Sequence, residues 1–176
     1  MSENVRDVLS RCIRDVPDFP KPGILFKDIT PLLADPRAFN LCIDTMAERY
    51  AGRPLDLIVA IESRGFIFGA ALASRMRRAF APARKPGKLP SSTLRVEYQL
   101  EYGTDAIELH TDAIDQGDKV LVVDDVLATG GTASATCELV QKLGGQVIGA
   151  SFVIELEFLS GRQRLPGIEV SSLVQY

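Results

Sequence analysis

The residues best suited to chemistry lie between positions 120 and 132, which read VLVVDDVLATGGT. Four apolar residues are followed by two adjacent carboxylates, Asp124 and Asp125. If the apolar run is a parallel strand, the two acids leave its carboxyl end, where open α/β sheets bind their ligands. Adjacent carboxylates can accept hydrogen bonds from neighbouring sugar hydroxyls, with or without a metal ion. We therefore expect a sugar-binding site at this position.

The loop behind the acids is built from small residues, namely Ala128, Thr129, Gly130, Gly131 and Thr132. Its backbone N–H groups and hydroxyls precede a predicted helix, whose N-terminus favours negative charge. This predicts a phosphate cradle. Neither P-loop spacing nor a Gly-x-Gly-x-x-Gly signature is present, which counts against a nucleoside triphosphatase and a hydride-transfer enzyme. The alternative is an ordinary strand, turn and capped helix, but two unliganded adjacent acids would repel each other.

A sheet must position these residues, and the apolar pattern predicts one. Strand and helix patterns alternate, which indicates a mostly parallel sheet with right-handed crossovers, flanked by helices. Strands are predicted at residues 55–61, 79–83, 119–123 and 146–154, and helices at residues 35–50, 66–77 and 132–143.

Two further segments lie outside this alternation. Apolar residues recur at helical spacing from Val5 to Val16 and stop at Pro17, which predicts a short N-terminal helix. Residues 24–29 are β-prone and predict an edge strand or an extended loop. Residues 94–109 alternate between apolar and polar around Gly103, a pattern typical of a β-hairpin, which we expect to form an arm outside the core.

The bulk composition narrows the class of protein. A chain of 176 residues, 46% of them hydrophobic, is the size of one domain, and its net charge of −3 is not that of a nucleic-acid binder. Cys12, Cys42 and Cys137 lie in apolar patterns without ligand spacing, so we expect them to be reduced, buried and structural. The sequence shows neither a signal peptide nor an apolar run long enough to cross a bilayer, so we expect no membrane association and a cytoplasmic location.

The stretch VLVVDDVLATGGT resembles the motif with which type I phosphoribosyltransferases bind phosphoribosyl pyrophosphate (PRPP). The similarity to the adenine-specific members covers almost the whole chain, through PDFPKPGILFKDITPLL, ESRGFIFGAALA, RKPGKLP and LEYG. It implies the α/β type I phosphoribosyltransferase fold in one domain, residues 1–176. A small hood comes from about residues 1–34, and the core, with a flexible β-hairpin loop, from about residues 35–176.

The resemblance also implies the reaction. Adenine and PRPP would give AMP and pyrophosphate in purine salvage, with Mg²⁺ bound mainly through PRPP and pyrophosphate, and the enzyme would be a homodimer. Asp124 and Asp125 would hold the ribose hydroxyls, and the loop that follows would hold the 5′-phosphate. Arg64 matches the pyrophosphate loop, in which a cis peptide is expected between Glu62 and Ser63.

Further roles follow from the same resemblance. Lys85 and Lys88 match a basic loop that neutralises the leaving pyrophosphate, although a solvated basic surface is the alternative. Glu101 matches the carboxylate taken as general acid/base at adenine N7. The adenine-binding residues would be Leu25, Phe26, Lys27 and Leu156. Phe26 would stack on the base and the backbone of Leu25 and Lys27 would bond its edge, whereas Leu25 and Leu156 could also be ordinary core residues.

Three rival functions remain. Hypoxanthine/guanine phosphoribosyltransferases resemble the motif but carry an aspartate where Ala128 stands, and the segments typical of orotate phosphoribosyltransferases have no match. A PRPP-sensing regulator would need a nucleic-acid-binding surface, and the sequence has neither a helix-turn-helix extension nor a basic excess.

Overall fold

The computed structural model describes residues 4–99 and 103–176. Its helices and strands alternate around one central sheet. In chain order they are α1 (Val5–Arg11), β1 (Arg14–Pro17), β2 (Leu25–Asp28), α2 (Thr30–Ala34), α3 (Pro36–Arg49), β3 (Leu57–Ile61), α4 (Gly65–Met76), β4 (Ala79–Ala83), β5 (Thr93–Gln99), β6 (Thr104–His110), β7 (Lys119–Leu127), α5 (Gly131–Lys142), β8 (Gln146–Glu155) and β9 (Val170–Gln175). Two short 3-10 turns, Glu157–Leu159 and Gly161–Arg164, lie between β8 and β9.

The central sheet has five parallel strands in the order β4-β3-β7-β8-β9. Every residue of β3 is buried, because apolar side chains cover both faces of the sheet. Ile58 and Leu121 belong to the apolar cluster under α1, α3 and α4, whereas Val59 and Val122 belong to the one under α5 and the hairpin. This alternation is the period of two expected of a strand, and the predicted α/β fold with a parallel sheet is confirmed.

The β5–β6 hairpin is part of the core, so the prediction of an arm outside it was wrong. Val96, Tyr98, Ile107 and Leu109 are buried and pack in the same cluster as α5. Because the hairpin has one apolar face, packing it against the sheet side of α5 removes that face from water. The alternation that predicted the hairpin therefore also determined which face is buried.

The N-terminal helix is shorter than predicted. It ends at Arg11, and Arg14–Pro17 forms a strand that pairs antiparallel with β2. Within the described part of the chain, β2 pairs with β1 alone, which places it in a small two-stranded unit outside the main sheet. The ladder of hydrogen bonds to β2 thus overrides the helical spacing of the apolar residues up to Val16.

Strand β7 is longer than predicted, and β9 was not predicted. β7 continues past Val123 through both aspartates to Leu127, because its last residues pair with β8 at Ile154 and Glu155. The two acids therefore lie within the last paired residues of β7 instead of beyond the end of the strand.

The cysteines partly match expectation. All three are unpaired, Cys42 and Cys137 are buried, and burial raises the pKa of each of these two thiols to about 12. Cys12 is only half-buried at the end of α1, which corrects the prediction for that residue. Among the helices described, none has the length and apolar character to cross a bilayer.

Candidate active site

A cleft of about 440 Å³ lies where the chain leaves the carboxyl ends of β3 and β7. Its walls come from the β2 strand, the turn after β3, the end of β7 and the segment after β8. They are formed by Ile24, Leu25, Phe26, Lys27, Glu62, Ser63, Arg64, Asp124, Asp125, Val126, Ala128 and Leu156. A smaller recess of about 70 Å³ adjoins it along residues 124–133. These two spaces bring together most of the residues singled out from the sequence.

A larger open depression, of about 660 Å³, lies among residues such as Glu48, Arg53 and Arg78. These residues precede β3 and β4, so the depression is at the amino ends of the strands. Ligands of parallel sheets bind at the carboxyl ends, and the depression contains no residue of the motif at positions 120–132. We therefore locate the chemistry in the smaller cleft.

Asp124 and Asp125 form an acidic pair at the end of β7. Asp124 is partly open to the cleft, while Asp125 is buried, and the Asp125 backbone N–H donates to Asp124 Oδ1 at 2.9 Å. Loss of hydration raises the pKa of both carboxyls, most strongly for Asp124, to which the Asp125 charge also contributes. The site therefore holds two carboxylates that lack full solvation and gain from a hydrogen-bonding ligand.

Arg64 connects the turn after β3 with this acidic pair. Its Nε lies 2.8 Å from Asp125 Oδ2, but the N–H is not aligned for a hydrogen bond, so this buried oxygen accepts none from the described residues. The guanidinium also lies over the Phe26 ring, 5.1 Å from its centre. The cis peptide expected between Glu62 and Ser63 is present in the same turn.

The loop after β7 has glycines at two positions where a side chain would collide with neighbouring segments. Gly130 has φ +81°, and a Cβ there would approach Gly161 O to 2.3 Å. A Cβ at Gly131 would meet the Tyr98 ring at 3.3 Å. The loop is thus held between the turn at residues 161–164 and the hairpin, with Ala128, Thr129 and Thr132 lining the adjoining recess.

The predicted basic loop is present, but carboxylates already contact both of its lysines. Lys85 Nζ donates to Tyr98 Oη at 2.7 Å and contacts the Asp105 carboxylate. Partial burial acts to lower the pKa of Lys85, but the bonds to Asp105 and Tyr98 outweigh it and raise that pKa. Lys88 contacts the Glu62 carboxylate. Their assignment to pyrophosphate stays a prediction.

Glu62 is a cleft residue that the sequence did not single out. Its carboxylate is mostly buried, accepts the Lys85 backbone N–H at 2.9 Å and lies 3.4 Å from Arg84 Nε. Burial opposes ionisation, yet Lys88 and these neighbours lower the pKa of Glu62. A signal was available, because Glu62 follows an all-apolar strand directly, as Asp124 does.

The four predicted adenine-binding residues all line the cleft. Leu25 is half-exposed and is therefore not a core residue, whereas Leu156 is partly buried and packs against the apolar cluster under α1, α3 and α4. The Phe26 ring packs edge-on against Phe19 at 5.1 Å. The Lys27 side chain is buried and its Nζ lies 2.6 Å from Asp15 Oδ1, so only the main chain of Lys27 can serve a ligand in the cleft. Glu101 lies outside the described residues.

The site fits a metal that is held mostly by its ligand. Within residues 4–99 and 103–176, no group of three or more His, Cys, Asp or Glu side chains could hold a metal ion. The cleft nevertheless offers Asp124 and the unbonded oxygen of Asp125. Mg²⁺ keeps several non-protein oxygen ligands when it binds phosphates, so this donor set is compatible with a magnesium–pyrophosphate complex.

Comparison with known proteins identifies the family of this chain. Residues 28–163 match the family model of the phosphoribosyl transferase domain. An adenine phosphoribosyltransferase of Sorangium cellulosum is 58% identical over 93% of this chain and 82% of its own length, and that of Kosmotoga olearia is 57% identical over 93% and 96%. The chain belongs to the adenine phosphoribosyltransferase family. It is thus a pentosyltransferase that transfers the 5-phosphoribosyl group of PRPP to adenine, giving AMP and pyrophosphate, in purine salvage.

Solved structures of other adenine phosphoribosyltransferases share the fold. That of Thermoanaerobacter pseudethanolicus superposes with a TM-score of 0.94 at 53% identity, covering 97% of this chain and 99% of its own. The Saccharomyces cerevisiae enzyme superposes with a TM-score of 0.91 at 40% identity, covering 96% and 98%. The yeast structure contains adenine and an imino-altritol bisphosphate.

Proposed function

We propose that the cleft at the carboxyl ends of β3 and β7 is the active site of this adenine phosphoribosyltransferase. The observation that carries the proposal is the position of Asp124 and Asp125 beside the glycine-closed recess at residues 124–133. The acids suit the ribose hydroxyls, and the recess suits a 5′-phosphate. The yeast relative, solved with adenine and a sugar bisphosphate analogue, supports two adjoining subsites for a base and a phosphorylated sugar.

The ribose half of the site binds and orients. A hydroxyl that donates to Asp125 Oδ2 would satisfy a buried oxygen that accepts no hydrogen bond from the described residues. Backbone N–H groups at residues 128–132 would receive the phosphate at the start of α5, where the helix dipole favours an anion. The sugar would then be fixed at both ends, which places the anomeric carbon towards the base pocket.

The pyrophosphate half must stabilise a departing anion. Glycosyl transfer passes through an oxocarbenium-like state, in which charge leaves with the pyrophosphate before the nucleophile has bonded fully. Arg64 is anchored at this edge by Asp125, and Lys85 and Lys88 lie on the loop after β4. Because each lysine contacts a carboxylate, we infer that pyrophosphate competes with Asp105 for Lys85 and with Glu62 for Lys88.

The base half combines an apolar slot with polar edges. Phe26 and Leu156 line the cleft from two different segments and would contact a planar base, while the main chain of Leu25 and Lys27 would bond its edge. Strand β2 can do so because one of its edges pairs with no described strand. Glu101, which lies between β5 and β6 in the sequence, would accept the N7 proton as N9 attacks the anomeric carbon.

Magnesium, bound with PRPP and pyrophosphate, would supply positive charge to the leaving group. Asp124 and Asp125 are the residues placed to hold its hydration shell or the hydroxyls next to it. The homodimer and the cytoplasmic location remain predictions of the family resemblance.

A base panel tests the proposal. Purified protein is mixed with PRPP, Mg²⁺ and adenine, guanine, hypoxanthine or orotate, and pyrophosphate release is followed. We expect release with adenine alone, and its loss when Asp125 is replaced by asparagine at low PRPP. Equal release with hypoxanthine, or full PRPP affinity of the Asp125→Asn variant by calorimetry, would contradict it. A gel-shift assay with and without PRPP tests the alternative that the protein is a PRPP-sensing regulator. We expect no shifted nucleic-acid band in either case.

A further inference from the structure

Tyr176 contacts both walls of the base pocket. Its ring lies under the Lys27 ammonium, with Nζ 3.6 Å from the ring centre. Its main chain brackets Leu156, because the Tyr176 N–H donates to Glu155 O at 3.0 Å and the Glu157 N–H donates to Tyr176 O at 2.9 Å. One residue therefore joins the β2 wall to the wall that follows β8.

The Lys27 side chain shows why this contact matters. It is buried, and its ammonium lies between the Asp15 carboxylate at 2.6 Å and the Tyr176 ring. Asp15 belongs to β1, which pairs with β2 at this position, so the ion pair holds Lys27 within its own two-stranded unit. In contrast, the ring of Tyr176 ties that unit to the main sheet through β9. A desolvated cation over an aromatic face is attracted by the ring quadrupole.

We propose that Tyr176 is a positioning residue for adenine, which sets the spacing between Leu156 and the β2 segment without touching the base. The inference rests on the function proposed for the cleft. In the proposed site, adenine contacts Leu156, the Phe26 ring and the main-chain groups of β2. Its affinity therefore depends on the distance between Leu156 and the β2 segment. The ribose and phosphate subsites are built on β7 and α5 and do not depend on the Lys27–Tyr176 contact.

The expected signature is a change confined to the base. In the Tyr176→Leu variant, we expect the KM for adenine to rise about three- to tenfold, which corresponds to the loss of one partly desolvated cation–π contact. The KM for PRPP and kcat should remain within about twofold, because the interaction serves ground state and transition state alike. The Tyr176→Phe variant keeps the ring and should restore the wild-type KM for adenine. The Lys27→Met variant should raise it, and combining it with Tyr176→Leu should add little.

A matched control separates positioning from general stability. Leu173 lies on β9, three residues before Tyr176, and packs against the same apolar cluster. The Leu173→Ala variant should lower Tm and leave the KM for adenine unchanged. An unchanged KM for adenine in Tyr176→Leu, a parallel rise in both KM values, or the same rise in Leu173→Ala would overturn the inference. Because the wild-type enzyme is assayed alongside, a failed inference leaves AMP synthesis intact, whereas wild type that makes no AMP contradicts the proposed function itself.

Discussion

Arg64 and Asp125 form an ion pair that joins the turn after β3 to the end of β7, with Nε 2.8 Å from Oδ2. Asp125 is buried, and Oδ2 accepts no aligned hydrogen bond from the described part of the chain. The guanidinium offsets the charge of the acid without using up its hydrogen-bonding capacity. The Arg64 charge therefore opposes the rise in the Asp125 pKa that burial causes, and Oδ2 stays available to a hydrogen-bond donor.

Replacing Arg64 should weaken PRPP binding specifically. In Arg64→Gln we expect the KM for PRPP to rise about 10- to 100-fold, because a charge-assisted contact to pyrophosphate is lost and Asp125 loses its counter-charge. Steady-state kinetics with varied PRPP measures this. Arg75→Gln is the matched control, since Arg75 makes an exposed ion pair with Asp44 away from the cleft. Equal effects of the two substitutions would assign the result to net charge.

Replacing Glu101 should slow the chemical step and leave the affinity for PRPP unchanged. We expect kcat of Glu101→Gln to fall roughly 10²- to 10⁴-fold, the usual value of acid/base assistance, while calorimetry finds the same Kd for PRPP. Glu97→Gln is the control, because Glu97 is an exposed glutamate on the adjoining strand, 3.1 Å from Arg95. Turnover of Glu101→Gln at the wild-type rate would remove Glu101 from the mechanism.

The acidic pair should cost stability at neutral pH. Burial raises the folded-state pKa of Asp124 well above 3.8, so the folded protein binds this proton more tightly than the unfolded chain does. The resulting stabilisation is fully present below about pH 3.8 and is lost as the pH rises through the folded-state pKa. Asp124→Asn removes this loss. We therefore expect its Tm to exceed that of wild type at pH 8 and the difference to close as the pH falls towards 4.

Thermal unfolding of wild type and Asp124→Asn across this pH range checks the prediction. The control is Asp44→Asn, which removes an exposed carboxylate. A similar rise in Tm for that variant would attribute the effect to net charge instead of burial. A Tm difference for Asp124→Asn that grows towards acidic pH would have the wrong sign. The same variant should bind PRPP more weakly, as expected where function and stability conflict.

Gly130 should be sensitive to a single methyl group. Its φ is +81°, and a Cβ would come within 2.3 Å of Gly161 O, so Gly130→Ala must displace either the loop at residues 128–132 or the turn at residues 161–164. Gly52 has φ +75° with nothing within 4 Å of its Cβ position, so Gly52→Ala carries only the backbone cost of about 1 kcal/mol. Denaturant unfolding and the KM for PRPP measure both. Gly130→Ala should lose clearly more stability and raise that KM, and equal losses would mean that the collision is relieved without consequence.

The amino-acid sequence alone predicts those parts of the fold and of the site that depend on neighbouring residues. The apolar runs predict β3, β7 and β8. The acids near the end of β7 and the glycines behind them predict a binding site for a sugar phosphate, because strand, turn and helix signals act over neighbouring residues. The resemblance of the motif supplied the family, and through it the roles assigned to Arg64 and Glu101.

The pairing of charged groups from distant segments, and the choice of the faces that are buried, become visible in the folded chain alone. Helical spacing up to Val16 could not reveal that residues 14–17 pair with β2, and alternation in the hairpin could not show that α5 covers its apolar face. The partners of Asp125, Lys27 and Gly130 come from elements far away in sequence. Register and packing set such contacts through the burial of the whole core, and no local pattern encodes them.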